Sequence, residues 1–408
     1  MLCETPDLSR RSVLLGSGAL FAWSFMPKLA SASTSSRDPR LLTIILRGGL
    51  DGLSAVPPVG DPGYVALRGN LAMATEGTNA AIPLDRTFAL NAAMPNLLRL
   101  YRAGQATIVH AAASPYRERS HFDGQDVLET GLAGTGGRDG WMARALSALP
   151  RGANVAPPKG LSIGLTTPLV MRGNAEVTTW APQVFPYASD DTIRRLLSVY
   201  DARYPALARA LRAGVETEAI TKAMGDTGRN AGVGDATRAF PDQAAAAARF
   251  MAMPNGPRLG TMSFDGWDTH AQQGPRDGRL ARLLGGLDLA LAAFERGMGE
   301  AWRETVILVV TEFGRTAREN GTDGTDHGTA TTAFLVGGAV RGGRVLADWP
   351  GLAPNQLHEN RDLRPTTDLR ALIKGVLADH LGMPAPILDR VVFPGSDGAR
   401  PVRDLLRA

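Results

Sequence analysis

The feature of the sequence that most constrains the fold is an unbroken apolar run, Val306–Val310, in which four of the five residues are β-branched. Such a run predicts a strand buried on both faces, as at the centre of a parallel α/β sheet. Polar residues follow it at once, among them Thr311, Glu312 and Arg315. Because open α/β sheets bind ligands at the carboxyl ends of their strands, the run predicts both a fold class and the position of a functional site.

Two pairs of an acid and a histidine follow predicted strands. Asp326 and His327 end the glycine-rich loop after the central strand, and Asp268 and His270 follow the predicted strand Leu259–Phe264. In extended backbone, residues i and i+2 point the same way, so Asp268 and His270 could hold one ion. Carboxylates and imidazoles are metal ligands, although a lone histidine is more often an ordinary loop residue. We interpret both pairs, with Glu312, as candidate ligands.

A third candidate follows the first predicted strand, Leu41–Leu46. The segment that continues it contains Arg47, two glycines and Asp51. Glycines allow backbone to approach a ligand closely or to adopt positive φ, so the segment could present the Asp51 carboxylate to a site. The alternative is a plain turn in which Asp51 is a turn or cap residue. The sequence leaves both readings open.

Ser120 lies at the predicted start of a helix, in an arginine-containing loop after the strand Ala106–His110. Serine is among the preferred N-cap residues, which is the simplest interpretation. Helix N-termini also favour negative charge, so Ser120 could instead be a nucleophile or an anion-binding hydroxyl. One residue could serve both purposes. The remaining histidines, including His110 and His358, are interpreted as structural.

The N-terminus predicts export. Ser9–Leu15 carries a twin-arginine pattern, Val13–Phe25 is a short apolar segment, and Ala30–Ala32 offers a cleavage site. A membrane anchor would need about 20 apolar residues, so the segment is too short and too rich in Gly and Ser. Residues 1–32 therefore predict a signal peptide, the twin-arginine export machinery as a partner, a periplasmic location and no stable membrane anchor after cleavage. The only cysteine, Cys3, precedes the arginines, which excludes thiolate catalysis and Cys-ligated metal in the mature chain.

The composition is that of an ordinary globular protein, with 44% hydrophobic and 21% charged residues. The formal charge is only +4 and no run of Lys and Arg is clustered, so we predict no nucleic-acid partner. Residues 33–408 are predicted to form one α/β domain, in which the alanine-rich, mostly helical segment 189–253 is a cap or insertion.

The motifs at the strand ends resemble those of domain-of-unknown-function family 1501, whose members are placed in the alkaline-phosphatase-like superfamily with the sulfatases. Six motifs occur in order, and they are Arg47-Gly48-Gly49-Leu50-Asp51-Gly52, Arg119-Ser120-His121-Phe122-Asp123, Asp268-Thr269-His270, Thr311-Glu312-Phe313-Gly314-Arg315, Gly324-Thr325-Asp326-His327-Gly328 and Thr367-Asp368-Leu369-Arg370. The resemblance implies a three-layer α/β/α sandwich with a mainly parallel sheet, a metal ligand at Asp51 and a nucleophile at Ser120. It also implies that the two acid and histidine pairs bind metal.

These observations lead to two functional hypotheses. The first is an exported metal-dependent hydrolase of phosphate or sulfate esters, in which Zn²⁺ or Mn²⁺ activates Ser120 or a water, and Arg315 or Arg47 holds the anionic group. The second is a non-catalytic protein of the same fold that binds an envelope polymer or another exported protein. The candidate metal ligands are Asp51, Asp268, His270, Glu312, Asp326 and His327.

Overall fold

The structure is a computed structural model that describes residues 37–149, 159–181, 190–223 and 236–407. The predicted signal peptide, residues 1–32, lies outside the described residues, as do residues 189 and 224–235 of the predicted insertion. Within the described residues, none of the helices combines the length and the apolar character that crossing a bilayer requires.

Strands and helices are interspersed along the described residues. The strands are β1 (Arg40–Arg47), β2 (Ile82–Pro83), β3 (Ala89–Leu90), β4 (Ala106–Ala113), β5 (Gly160–Ile163), β6 (Val177–Trp180), β7 (Leu259–Asp265), β8 (Thr305–Thr311), β9 (Thr331–Val336), β10 (Arg344–Leu346) and β11 (Thr367–Asp368). The helices are α1 (Gly52–Ala55), α2 (Tyr64–Arg68), α3 (Pro95–Arg102), α4 (His121–Thr130), α5 (Trp141–Ala148), α6 (Asp190–Arg203), α7 (Pro205–Ala223), α8 (Ala236–Ala252), α9 (Arg279–Met298), α10 (Leu369–Leu381) and α11 (Ala385–Ile387).

The main sheet has nine strands in the order β10-β4-β9-β8-β1-β7-β5-β6, with β11 paired to β4. β9 is antiparallel to both of its neighbours, and the other pairings are parallel. The predicted mainly parallel sheet is confirmed. β8, which contains the apolar run Val306–Val310, is buried along its whole length between β9 and β1.

Apolar side chains cover both faces of the sheet. In β8, Ile307 and Val309 belong to one buried cluster, whereas Val306, Leu308 and Val310 belong to the other, because successive strand residues point to opposite faces. Helices α3, α8 and α9 pack in the first cluster, and α5 and α10 pack in the second. The predicted α/β fold, with helices on both faces of the sheet, is confirmed.

The segment predicted to be a helical insertion contains α6, α7 and α8. Of these, α8 contributes Phe240, Ala244 and Phe250 to a core cluster that α9 shares. The end of the segment is therefore part of the helical layer on that face of the sheet. The division into one domain and an insertion stays a prediction.

The carboxyl ends of β1, β7 and β8 lie side by side, because the three strands are parallel and adjacent. Gly48 allows the loop after β7 to come close to the end of β1. Its φ is +122°, and a Cβ at this position would lie 2.3 Å from the backbone nitrogen of Asp268. A side chain there would displace the segment that carries Asp268 and His270.

Candidate metal centre

Three segments bring acids and histidines together at this edge of the sheet. Asp268 and His270 lie in the loop after β7, His327 lies in the loop between β8 and β9, and His121 is the first residue of α4. Ligand atoms of His121, Asp268 and His327 all lie within 4.8 Å of one another, close enough to hold one metal ion. The third histidine, His270, borders this group.

The Nε2 atoms of the three histidines converge on one oxygen atom, Oδ1 of Asp268. The distances to this oxygen are 3.1 Å from His270, 3.3 Å from His327 and 3.5 Å from His121. The Nε2 atoms of His270 and His327 are 2.9 Å apart. Three Nε2 atoms from three separate segments therefore lie within 3.5 Å of one carboxylate oxygen.

The other ring nitrogen of each histidine, Nδ1, faces a hydrogen-bond acceptor. The acceptors are Glu312 Oε1 at 2.8 Å for His121, the Arg119 carbonyl at 2.8 Å for His327, and Asp326 Oδ1 at 3.1 Å for His270. A neutral imidazole has one N–H, and when that N–H is on Nδ1 each ring satisfies its outer acceptor. Each Nε2 then carries a lone pair that faces the centre. This arrangement, in which an acceptor fixes the outer nitrogen, is usual for histidines that bind metal.

These tautomers favour a cation at the centre. Three nitrogen lone pairs and a carboxylate oxygen repel one another when nothing positive lies between them. Moreover, Nε2 of His121 is buried and makes no hydrogen bond to any residue that the structure describes. Burying such an atom without a partner is costly, so the site fits a positively charged ligand. Donors rich in imidazole suit Zn²⁺ better than Mn²⁺, which favours oxygen ligands.

Glu312 supports His121. Its side chain is fully buried, and Oε1 accepts hydrogen bonds from His121 Nδ1, from the Gly48 backbone N–H at 2.8 Å and from Gln125 Nε2 at 3.2 Å. Although burial raises the pKa of Glu312, these donors lower it below its ordinary value. The hydrogen bond to this carboxylate raises the pKa of His121, whereas burial lowers the pKa of His327. Glu312 thus contacts the centre through an imidazole.

Asp326 has a similar position next to His270. It is exposed, and its Oδ1 accepts from His270 Nδ1 and, at 3.2 Å, from Asn320 Nδ2. Burial raises the pKa of Asp326, but the Asn320 and His270 hydrogen bonds outweigh it and lower the pKa. The sequence presented Glu312 and Asp326 as candidate ligands. In the structure both hold histidines whose opposite nitrogens face the centre.

Arg315 is buried beneath Asp268 and does not project into an open site. Its Nη1 donates to Asp268 Oδ1 at 2.6 Å, and Nε donates to Thr325 Oγ1 at 3.1 Å. Nη2 donates to the Thr325 carbonyl. Partial burial raises the pKa of Asp268, yet the Arg315 guanidinium lowers it overall. These contacts bind the guanidinium to the protein, and the role of Arg315 in holding an anionic substrate stays a prediction.

Asp51 lies outside the group formed by His121, Asp268 and His327. It caps α1, is buried, and pairs with Arg68. Its Oδ2 also accepts from Gln273 Nε2 at 2.5 Å and from Ser54 Oγ at 2.7 Å. The sequence left open whether Asp51 was a cap or a ligand, and the contacts found are those of a cap. Arg68 and three neutral donors, including the Leu53 backbone N–H, occupy the carboxylate, and a metal-binding role for Asp51 stays a prediction.

Ser120 is the N-cap of α4, and its Oγ accepts from the Asp123 backbone N–H at 3.5 Å. The residues on both sides contact the centre, since the Arg119 carbonyl binds His327 and the next residue is His121. Ser120 is therefore a cap and also a neighbour of the centre. A nucleophilic role stays a prediction.

Arg47 is bound by α4. Its Nη2 donates to Glu129 Oε1 at 2.5 Å, its Nη1 donates to Gln125, and its Nε donates to Ser263 Oγ at 3.2 Å. It reaches the centre only through Gln125, which in turn donates to Glu312. As with Arg315, the role of Arg47 in holding an anion stays a prediction.

His121, which directly follows Ser120, belongs to one of the six sequence motifs but was not predicted to be a metal ligand. A usable signal existed, because this histidine also follows a predicted strand and precedes a helix, at the edge where the other candidates lie. The interpretation of this segment concentrated on Ser120, as a cap or as a nucleophile. The partner that reveals the role of His121, Glu312, is 191 residues away along the chain.

The fold and this centre define an α/β protein with a histidine-rich candidate metal site at the carboxyl edge of its sheet. The model of a protein family described as "Protein of unknown function (DUF1501)" matches residues 101–392. The chain belongs to this family. The matched region contains every residue of the candidate centre.

Several solved structures resemble the chain distantly. Ps i-CgsB in complex with k-i-k-neocarrahexaose is 14% identical, with 90% of this chain and 77% of that chain covered and a TM-score of 0.40. The phosphonate monoester hydrolase of Agrobacterium radiobacter is 13% identical, with 85% of this chain and 74% of that chain covered and a TM-score of 0.33. The C-terminal periplasmic domain of EcEptC from Escherichia coli, in complex with Zn, is 11% identical, with 74% of each chain covered and a TM-score of 0.32. No match was found among curated protein sequences. These TM-scores are too low to support a conclusion about the site.

Proposed function

We propose that this protein is a hydrolase of phosphate or sulfate esters that depends on a divalent metal ion. The observation that carries the proposal is the convergence of three imidazole Nε2 atoms on Asp268 Oδ1, with each Nδ1 already bound to an acceptor. His121, His270, His327 and Asp268 would hold the ion, and Zn²⁺ is the cation that suits them best.

A divalent cation at this position would supply Lewis-acid chemistry, polarising the oxygen of a bound ester. The protein's own residues organise the site around it. Glu312 keeps the N–H of His121 on Nδ1, and Arg315 keeps the Asp268 carboxylate ionised. His270 is 45% exposed, so this side of the centre is accessible to a substrate.

The start of α4 adds attraction for an anionic ester. Ser120 caps this helix and His121 is its first residue, so the positive end of the helix dipole lies next to the centre. A phosphate or sulfate group near His121 would gain from this field as well as from the cation. A Ser120 hydroxyl would be close to such a group because both neighbouring residues contact the centre.

We further propose that the protein acts in the periplasm after twin-arginine export, with residues 33–408 as its working unit. The proposal rests on the arginine pair at Arg10 and Arg11 and on the short apolar segment after it. It fits a metal site assembled from residues far apart in sequence, because such a site forms only when the chain has folded.

Metal content and turnover test the proposed function together. The mature protein, purified without a metal-affinity tag, should contain close to one equivalent of zinc by elemental analysis and should hydrolyse members of a panel of aryl phosphates and sulfates. His270→Ala and His327→Ala should lose both properties. His358→Ala, which changes a partly exposed histidine elsewhere, should keep both.

The outcomes distinguish between the two functional hypotheses that the sequence suggested. Folded protein that binds no metal, even after incubation with Zn²⁺, would contradict the proposed metal centre. Stoichiometric metal without hydrolysis of any ester in the panel would instead favour the second hypothesis, a non-catalytic protein that binds an envelope polymer or an assembly partner.

A further inference from the structure

A cavity of about 630 Å³ lies beside α4, at the carboxyl ends of β1, β5 and β7. Its size is within the range of small-molecule binding sites. The walls come from α4, from the strand ends and from the segment after β5, and they include Arg47, Phe122, Asp126, Leu165, Arg172 and Asp265. None of these residues belongs to the candidate metal centre.

The cavity is connected to the centre by a short chain of hydrogen bonds. Arg47, in the cavity wall, donates to Gln125 Oε1. Gln125 Nε2 donates to Glu312 Oε1 at 3.2 Å, and the same oxygen accepts from His121 Nδ1. Phe122 also directly follows His121 in α4. Gln125 therefore lies both in the cavity wall and next to the acid that holds His121.

The rim of the cavity is apolar. Phe122 is 86% exposed and Leu165 is 83% exposed, which makes them the two most exposed large hydrophobic side chains among the described residues. Both line this cavity. Exposed apolar side chains that border polar groups often mark a binding site, and an aromatic ring offers a flat surface to a ligand.

The polar lining is rich in acceptors. Neither Asp126 nor Asp265 has a hydrogen-bond or ion-pair partner for its side chain within the described part of the chain, whereas Glu129 is held by Arg47. With two arginines and three carboxylates, the lining has a formal charge of −1. An anionic group would be repelled here and attracted to the centre, while hydroxyl groups would find acceptors in Asp126 and Asp265.

We infer that this cavity binds a neutral, hydroxyl-rich ring, a sugar residue, with one face against Phe122 and with hydroxyl groups on Asp126 and Asp265. A pyranose ring has this shape, because its C–H face is apolar and its edge carries hydroxyl donors. The cavity accordingly makes the substrate a phosphate or sulfate ester of a carbohydrate. This last step rests on the proposed function, whereas sugar binding itself does not.

Binding measurements test the inference. Methyl glucoside, methyl galactoside and methyl mannoside, with their disaccharides, are titrated into the purified mature protein and followed by saturation-transfer NMR and calorimetry. At least one should bind, and Phe122→Ala and Asp265→Asn should each weaken it about tenfold, as expected for losing one stacking or hydrogen-bond contact. Leu289→Ala, at an exposed apolar position on α9, should leave binding unchanged.

Three results would overturn the inference. They are the absence of binding by every glycoside, equal binding by Phe122→Ala and wild type, and binding of adenosine in preference to all glycosides with the same dependence on Phe122.

The His270→Ala variant separates this inference from the proposed function, since it should still bind the glycoside. Glycoside binding in a protein that hydrolyses no ester would contradict only the proposed function. Hydrolysis of aryl esters in a protein that binds no glycoside would contradict only the sugar site.

Discussion

The Nδ1 atom of His121 lies 2.8 Å from Oε1 of Glu312, and this hydrogen bond joins the first residue of α4 to the end of the central strand. Glu312 is buried, and its Oε2 also accepts from Thr311 Oγ1 at 2.9 Å. Thr311, the last residue of β8, thus holds the Glu312 side chain in place, and Glu312 in turn orients the imidazole of His121. The orientation of His121 follows from the position of β8 rather than from α4 alone.

Replacing Glu312 with Gln tests this relationship. The amide keeps the volume but removes the charge that holds the N–H of His121 on Nδ1, so affinity for Zn²⁺ should fall about 10- to 100-fold, the usual effect of losing such a partner. Competition with a chromogenic chelator measures the affinity. Glu300→Gln, at an exposed position, should bind zinc like wild type. Unchanged affinity in Glu312→Gln would show that the contact is not needed for metal binding.

Much of the fold could be predicted from the sequence because it depends on local patterns. The apolar run Val306–Val310 predicts a strand buried on both faces, and the structure gives β8 that environment. The positions of Asp268, His270 and His327 followed from the same reasoning, because residues after parallel strands share one edge of the sheet. These three side chains do meet in the structure.

The roles of the acids could not be predicted in this way. A carboxylate that binds metal and one that holds a histidine have the same local sequence, and contacts across the fold distinguish them. Asp51 illustrates this, since its partners Arg68 and Gln273 are 17 and 222 residues away. Local rules predicted a cap or a ligand at Asp51 equally well, and its contacts with Arg68 and Gln273 could not be predicted from them.

His110 should make the protein less stable in acid. Burial lowers the pKa of His110 to about 4, although its hydrogen bond to the Val56 carbonyl opposes the shift. Between about pH 6.5 and pH 4 the unfolded chain therefore binds a proton that the folded protein does not, and stability falls as the pH falls. The loss should be roughly 2 to 4 kcal/mol across this window.

Urea unfolding of His110→Gln at several pH values measures this effect. The variant lacks the titrating group, so its stability should change less than that of wild type between pH 6.5 and pH 4. Leu289→Gln, at an exposed position without a titrating group, should keep the wild-type slope. Equal slopes for His110→Gln and wild type would show that other groups cause the acid sensitivity.

The arginine pair predicts a specific defect in export. Lysine keeps the charge at Arg10 and Arg11 but not the guanidinium groups of the twin-arginine pattern, so the double variant should accumulate as precursor in the cytoplasm. Fractionation followed by immunoblotting measures the distribution. Lys28→Arg, which keeps the same charge outside the pair, should be exported normally. Periplasmic appearance of the double variant at the wild-type level would refute the twin-arginine assignment.

The two roles considered for Ser120 make different demands on its side chain. A cap needs only a short acceptor, so Ser120→Asn should preserve the free energy of unfolding within a few tenths of a kcal/mol, while Ser120→Ala should lower it by about 1 kcal/mol. A nucleophile needs the hydroxyl itself, so both variants should lose several orders of magnitude in turnover. Ser120→Thr keeps a hydroxyl and an acceptor, and it serves as the matched control.

Turnover of the esters that wild type cleaves is compared among the four proteins, with equal zinc content verified by elemental analysis. Loss of activity in the Asn and Ala variants, with partial activity in the Thr variant, would identify Ser120 as the nucleophile. The metal check matters because His121 follows Ser120, so a disturbed helix start could displace a ligand. If the Asn variant is as active as wild type, Ser120 is a cap alone, and a water molecule must attack the ester.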